Sequence, residues 1–367
     1  MILDRYFARR FTQSFLLIGA VFLTLIMLVD LIEQLRRFEG VEIGFGQLMF
    51  LMLLNAPAAI NEILPLLMIL STIVLFVGLA RSSELVVTRA SGRSGIRALA
   101  GPLLVALVIG GLAVSTLNPI VAATSNRYQD LSDTYRTGGP SALSLSGEGL
   151  WLRQGGGRGQ SVIHATGFGG IDADVTLYGV TILTYAPEGN PVRRIQADSA
   201  RLLPEEWLLT GAKVWVLAAG INPETTAAQH DELRIPTTLT EDRIRDSLGR
   251  STGVSIYDLP DTIRQLKQAG FSTKKHEVWL QVELARPLFL MAMVLVGAAF
   301  TMRHTRLGGT GVAVLTAVLL GFGLYFVRNF AQILGENGQL PVAFAAWGPP
   351  IASILLTVGL LLHAEDG

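Results

Sequence analysis

A chain of 367 residues has room for two ordinary soluble domains, but half of its residues are hydrophobic and only 16% are charged, with a mean hydropathy of +0.47. One or two cores cannot hold so much apolar residue, so the excess must face lipid. Lys plus Arg equals Asp plus Glu at 29 each, which leaves no basic field for nucleic acid, and the lack of cysteine excludes disulfides, thiolate metal sites and a cysteine nucleophile.

A membrane span needs about 20 apolar residues. In chain order, uncharged or nearly uncharged runs occupy residues 11–29, 63–80, 98–123, 307–327 and 340–362. A sixth, 287–302, is shorter and is completed by 278–287, which carries Glu283 and Arg286. The first run follows Arg5, Arg9 and Arg10 as a signal peptide would. It is too long for a signal h-region, and residues 30–35 offer no small-residue cleavage site, so it reads as a retained helix. Before and at the start of the second run, Asn55, Pro57 and Pro65 interrupt the apolar residues, which predicts a short surface or kinked stretch rather than one long helix. Counting the N-terminus and the short loops, arginines 5, 9, 10, 81, 89, 93, 97, 303 and 306 fall on one side of these spans, and only Arg36 and Arg37 on the other. The positive-inside rule then places both termini in the cytoplasm.

From residue 126 to residue 277 the pattern changes. Short segments rich in Val, Ile, Thr, Tyr and Trp (150–152, 162–165, 175–185, 192–202, 207–217 and 233–235) alternate with Gly/Pro/Asn/Asp clusters. That is an antiparallel all-β unit, a sandwich or jelly roll, on the extracytoplasmic side, closed by a helix over 261–269. The order is three spans, a β domain, three spans.

Nucleotide and metalloprotease motifs are missing: there is no G-x-x-x-x-G-K-[ST] or H-E-x-x-H, and the five histidines lack ligand-spaced partners. The informative stretch is the loop after span two, Ala80-Arg-Ser-Ser-Glu-Leu-Val-Val-Thr-Arg-Ala-Ser-Gly92. It reads as a short amphipathic helix presenting Glu84 and Arg81 outward, with Leu85, Val86 and Val87 toward the bilayer. A plain basic surface turn is the alternative.

That loop, the opening Leu3-Asp4-Arg5-Tyr6, Gln34-Leu35-Arg36-Arg37 after span one, Gly149-Leu150-Trp151 and Gly253-Val254-Ser255-Ile256-Tyr257 together resemble the LptF/LptG family of lipopolysaccharide-export permeases. Ser83-Glu84-Leu85-Val86-Val87 with Asp4-Arg5-Tyr6 is more similar to the G-type than the F-type subunit. The resemblance implies six transmembrane helices with an inserted periplasmic β-jelly roll: spans one to three in 1–125 with a coupling helix near 81–92, the β domain in 126–277, and spans four to six in 278–367. It implies a bacterial inner-membrane permease without a cofactor or nucleotide site of its own. The implied partners are an F-type permease in a heterodimer, a homodimeric cytoplasmic ATPase, a single-span jelly-roll subunit and a periplasmic bridge protein. The implied cargo is lipopolysaccharide, leaving the outer leaflet through a gate between spans one and five.

By the same resemblance, Glu84 is the carboxylate that docks on the ATPase, with Arg81 and Arg89 beside it. Arg36 and Arg37 are candidates for lipid phosphate, with Glu33 and Glu39 able to neutralise them instead. Asp30 stands where G-type subunits tend to carry lysine, and Arg328 ends span five, so the two are candidates for a polar clasp across the gate. A transmembrane signal transmitter with a ligand-binding β domain, or a structural anchor for a periplasmic complex, are the competing function classes.

Overall fold

The computed structural model describes residues 2–39, 43–90, 94–137, 143–146, 149–156, 159–169, 175–186, 190–217, 222–237, 253–268, 272–302 and 310–366. The chain divides into two compact units. One comprises Met1–Tyr128, Thr252–Leu259 and Lys274–Gly367, the other Gln129–Ser251 and Pro260–Thr273. Arg93, Arg303 and Arg306, used above for orientation, lie outside the described residues.

Among the described residues, six helices are long and apolar enough to cross a membrane. α1 is Ile2–Arg37 and α2 is Phe45–Arg81. α3 (Glu84–Ala90) and α4 (Gly95–Ala98) are short. α5 (Ala100–Leu112) passes through a π-helical turn, Ala113–Leu117, into α6 (Asn118–Thr137). α7 is Leu259–Gln268, α8 Lys274–Thr301, α9 Thr310–Glu336 and α10 Val342–Asp366. α2 differs from the expectation of an interrupted segment: it is one helix of 37 residues with Pro57 and Pro65 inside it. Proline removes one ladder bond and crowds the preceding turn, but neighbouring helices hold the segment, and Leu48, Leu51 and Met52 ahead of Pro57 are already buried.

Burial separates the helices into two kinds. In their most apolar stretches α8 is 67% buried and α2 is 61% buried, against 6% for α1 and 11% for α9. α8 packs on α2, α5, α9 and α10 and forms the centre, with Phe289, Leu290, Met293 and Val294 meeting Met68, Ile69 and Phe76 in one core. α1 packs on α2 and α5 and leaves Leu16, Leu17, Leu25 and Leu28 uncovered. Its first turns are nevertheless seated tightly, because a Cβ at Gly101 of α5 would lie 2.4 Å from the Asp4 carbonyl oxygen; only glycine lets the two backbones approach so closely.

The π turn has a local cause. Pro119 has no N–H to give the carbonyl of Ser115, and that carbonyl instead accepts the Tyr257 hydroxyl at 3.0 Å. Asn118 Oδ1 accepts the Ile256 N–H at 2.9 Å, and Asn126 Nδ2 donates to the Gly253 carbonyl at 2.7 Å. A side chain at 253 would collide with Asn126, its Cβ 2.3 Å from Oδ1. The Gly253–Tyr257 motif therefore fastens to span three.

The second unit holds one antiparallel sheet of seven strands in sequential order: β1 Leu143–Ser146, β2 Gly149–Gly156, β3 Gly159–Gly169, β4 Thr176–Tyr185, β5 Pro191–Leu203, β6 Glu206–Val216 and β7 Ala228–Pro236. The connectivity is an up-and-down meander. Alternate residues such as Leu152, Ile163, Leu177, Ile182, Ile195, Trp207 and Leu209 make its core. The sheet curls so that β2 nears the end of β7, where the Thr237 hydroxyl donates to Gln154 Oε1 at 2.6 Å. The separator residues Gly157 and Pro187 lie outside the described residues.

Candidate functional site

Glu84 begins α3 immediately after a sharp reversal. Ser83 adopts φ +60, the left-handed conformation that ends α2 and lets α3 start within two residues. The carboxylate is not presented outward alone. Oε2 accepts the Tyr6 hydroxyl at 2.7 Å, Oε1 accepts the Ser82 hydroxyl at 2.8 Å, and Arg10 stands 3.5 Å away with its guanidinium over the Tyr6 ring. Partial burial works against the charge, but the hydrogen bonds from Tyr6 and Ser82 and the charge of Arg10 outweigh it and hold the carboxyl below the usual range. Some 32% of the side-chain surface stays open, enough for one more donor. Arg81 is exposed at the end of α2, and the side chain of Arg89 lies outside the described residues. The expected apolar face of α3 is divided: Leu85 is buried in the membrane unit's core, whereas Val87 is 68% exposed.

At the other end of α1 a polar tier crosses several helices. Asp30 Oδ1 accepts from Asn55 of α2 at 3.1 Å and from Gln34 at 3.5 Å. Gln34 and Arg37 both donate to the Tyr128 hydroxyl, at 2.7 and 3.0 Å, and Arg37 lies 3.9 Å from Glu33. Arg36 is exposed. On α8 Arg286 pairs with Glu283 at 2.5 Å and donates to Asn61 of α2. Arg328 of α9 is half-buried, its guanidinium 5.2 Å from the centre of the Phe289 ring.

Asp30 and Arg328 are therefore not clasped in this state: no hydrogen bond or ion pair joins them, and each has partners of its own. Beside this tier lies an apolar crevice of about 190 Å³ between α2, α8 and α9, lined by Ile63, Leu66, Ile69, Met293, Val318 and Phe322, with Glu62 and Tyr325 at its polar margin. Asn61 immediately precedes the crevice on α2, and Arg328 lies one turn beyond Tyr325 on α9. The arrangement sets cations and amides beside an apolar slot, which suits an amphiphile with an anionic head. Among the described residues no group of His, Asp or Glu is gathered as a metal ion would require.

Sequence reading missed Asn61 and Tyr128 and the role of Asn55. Each is a polar residue in or beside an apolar helix, and that alone was the available signal.

The family described as lipopolysaccharide export system permease LptF/LptG matches residues 5–363. The lipopolysaccharide export system permease protein LptG of Haemophilus influenzae is 25% identical over 382 residues, covering 99% of this chain and 99% of that protein. The protein of the same name from Escherichia coli K12 is 24% identical over 383 residues, covering 99% and 98%. With the match running through all six membrane helices and the β sheet between the third and fourth, this chain belongs to the LptF/LptG permease family.

Proposed function

We propose that the chain is the G-type permease of a lipopolysaccharide exporter in the bacterial inner membrane. In this reading it pairs with an F-type permease, is driven through Glu84 by a cytoplasmic homodimeric ATPase, and works with a single-span jelly-roll subunit and a periplasmic bridge protein. Lipid enters from the outer leaflet between α1 and α9 and leaves along the β domain.

The observation that carries this reading is the uneven burial of the helices. α1 and α9 keep their apolar surfaces almost wholly uncovered, while α2 and α8 are packed inside. A helix face that is neither packed nor polar has lipid or a partner helix against it. The polar tier supplies Arg36 and Arg37 at the end of α1 and Arg328 toward the end of α9, the two helices that border the proposed opening, and guanidinium forks suit phosphate. The crevice supplies an apolar wall for acyl chains. Energy must come from a partner, since the sequence carries no phosphate cradle.

The test is reconstitution of the chain with its F-type and ATPase partners in vesicles containing lipopolysaccharide. Lipid should pass to a soluble acceptor only with ATP. Ligand-dependent ATPase stimulation without any lipid transfer would favour the signal transmitter instead.

A further inference from the structure

We propose that Tyr6 is a positioning residue for the coupling carboxylate: its hydroxyl ties Glu84 to the first turns of α1, so that a partner cation seated on Glu84 moves α1 together with α3. The inference rests on the reading of Glu84 as the ATPase-docking group and adds the route by which docking reaches the gate.

Three features of the geometry converge. The Tyr6–Glu84 hydrogen bond of 2.7 Å joins residues 78 positions apart, so it is a tertiary contact chosen by packing and not by helix periodicity. Arg10, one turn further along α1, faces both members, lying over the Tyr6 ring and 3.5 Å from the carboxylate. α3 is 7 residues long and directly follows Ser83 at φ +60; Leu85 seats it in the core, and the Glu84 carboxylate at its start is oriented by the Tyr6, Ser82 and Arg10 contacts.

The same helix carries the consequence outward. α1 is continuous from Tyr6 to Arg37, about 50 Å by helix rise, and its middle is held by little protein. It is fastened at its far end by Asp30, Gln34 and Arg37 to Asn55 and Tyr128. A rigid rod anchored at both ends by polar contacts and lightly packed between them moves as a unit when one anchor is pulled.

The experiment uses the assembled transporter in vesicles with Tyr6→Phe, Glu84→Gln and the double variant. Phenylalanine keeps the ring under Arg10 and removes only the hydroxyl. Because the chain has no cysteine, spin labels at Ile32→Cys and Phe330→Cys, both exposed, report the α1–α9 distance. Tyr6→Phe is expected to leave assembly and ATP hydrolysis close to those of the unaltered transporter, and to lower lipid extracted per ATP by about tenfold, the scale of one hydrogen bond to a charged group. It should also abolish the nucleotide-dependent change in label distance. The double variant should be no worse than Glu84→Gln alone. Normal extraction by Tyr6→Phe with impaired Glu84→Gln would overturn the inference alone, as would additive losses in the double variant. Normal extraction by Glu84→Gln would remove the coupling role of that residue itself, and the inference with it.

Discussion

The guanidinium of Arg328 lies over the ring of Phe289, 5.2 Å from its centre, and among the described residues no carboxylate is bonded to it. A cation–π contact is worth about 0.5–2 kcal/mol, which stabilises the charge without neutralising it, so the arginine keeps its capacity for phosphate. Arg328→Met should leave the protein folded and reduce extraction of phosphorylated lipid A more than that of its dephosphorylated form. Equal loss for both lipids would assign Arg328 a packing role. The reciprocal change, Asp30→Arg with Arg328→Asp, should retain no more export than the weaker single variant, because the two residues have separate partners.

The Glu283–Arg286 pair is buried, at 2% and 12% side-chain exposure, and Arg286 also holds Asn61. Removing one member of such a pair leaves an uncompensated charge, at a cost of about 3–5 kcal/mol in soluble proteins. Glu283→Leu and Arg286→Leu should each lower the thermal stability of the detergent-solubilised complex, and the double variant should lose less than the sum. Additive losses in a melting series would mean that the two charges do not interact.

Tyr257→Phe removes the hydroxyl that the Ser115 carbonyl accepts at the π turn, and Asn118→Ala strips the buried Ile256 N–H of its acceptor. Polar contacts between membrane helices average about 0.6 kcal/mol, whereas an orphaned buried donor costs about 1–3 kcal/mol. Asn118→Ala should therefore lower the melting temperature more than Tyr257→Phe, and the reverse order would show that the tyrosine is the main fastening.

Glu84 has a carboxyl held below the usual range, so its sign is that of a depressed acid. Its contribution is complete above the ordinary carboxylate range, about pH 4–5, and is lost as pH falls through the lower folded value. Binding of the ATPase should stay flat from neutrality down through that range and weaken only below it. In Tyr6→Phe the weakening should begin at higher pH, and Glu84→Gln should show no acid limb from this group. A titration of ATPase retention in detergent measures all three.

Much of the architecture is written in local pattern. Apolar runs mark α1, α5 with α6, α8, α9 and α10, and alternation with turn residues marks β2 to β7. β1 was not visible, because Leu-Ser-Leu-Ser is too short to stand above its surroundings. α2 was misread because Pro57 and Pro65 signal a break that tertiary packing overrides. The site is another matter. Glu84 could be singled out from its loop, but its partners Tyr6 and Arg10 lie far away in sequence, as Tyr128 does from Gln34 and Gly253 from Asn126. Those contacts follow from helix packing, which residue spacing along one helix does not encode.

The most direct measurement is of lipid itself at the proposed entry between α1 and α9 and in the crevice that α9 shares with α2 and α8. A photo-crosslinking residue at Phe322, which lines the crevice, or at Ile32 of α1 should capture lipopolysaccharide in the assembled complex without ATP, and less of it during turnover. The same residue at Leu355, on the exposed face of α10, should capture little. Equal labelling at all three positions, or none at Phe322 and Ile32 in a complex that still hydrolyses ATP, would contradict a lipid path along these helices.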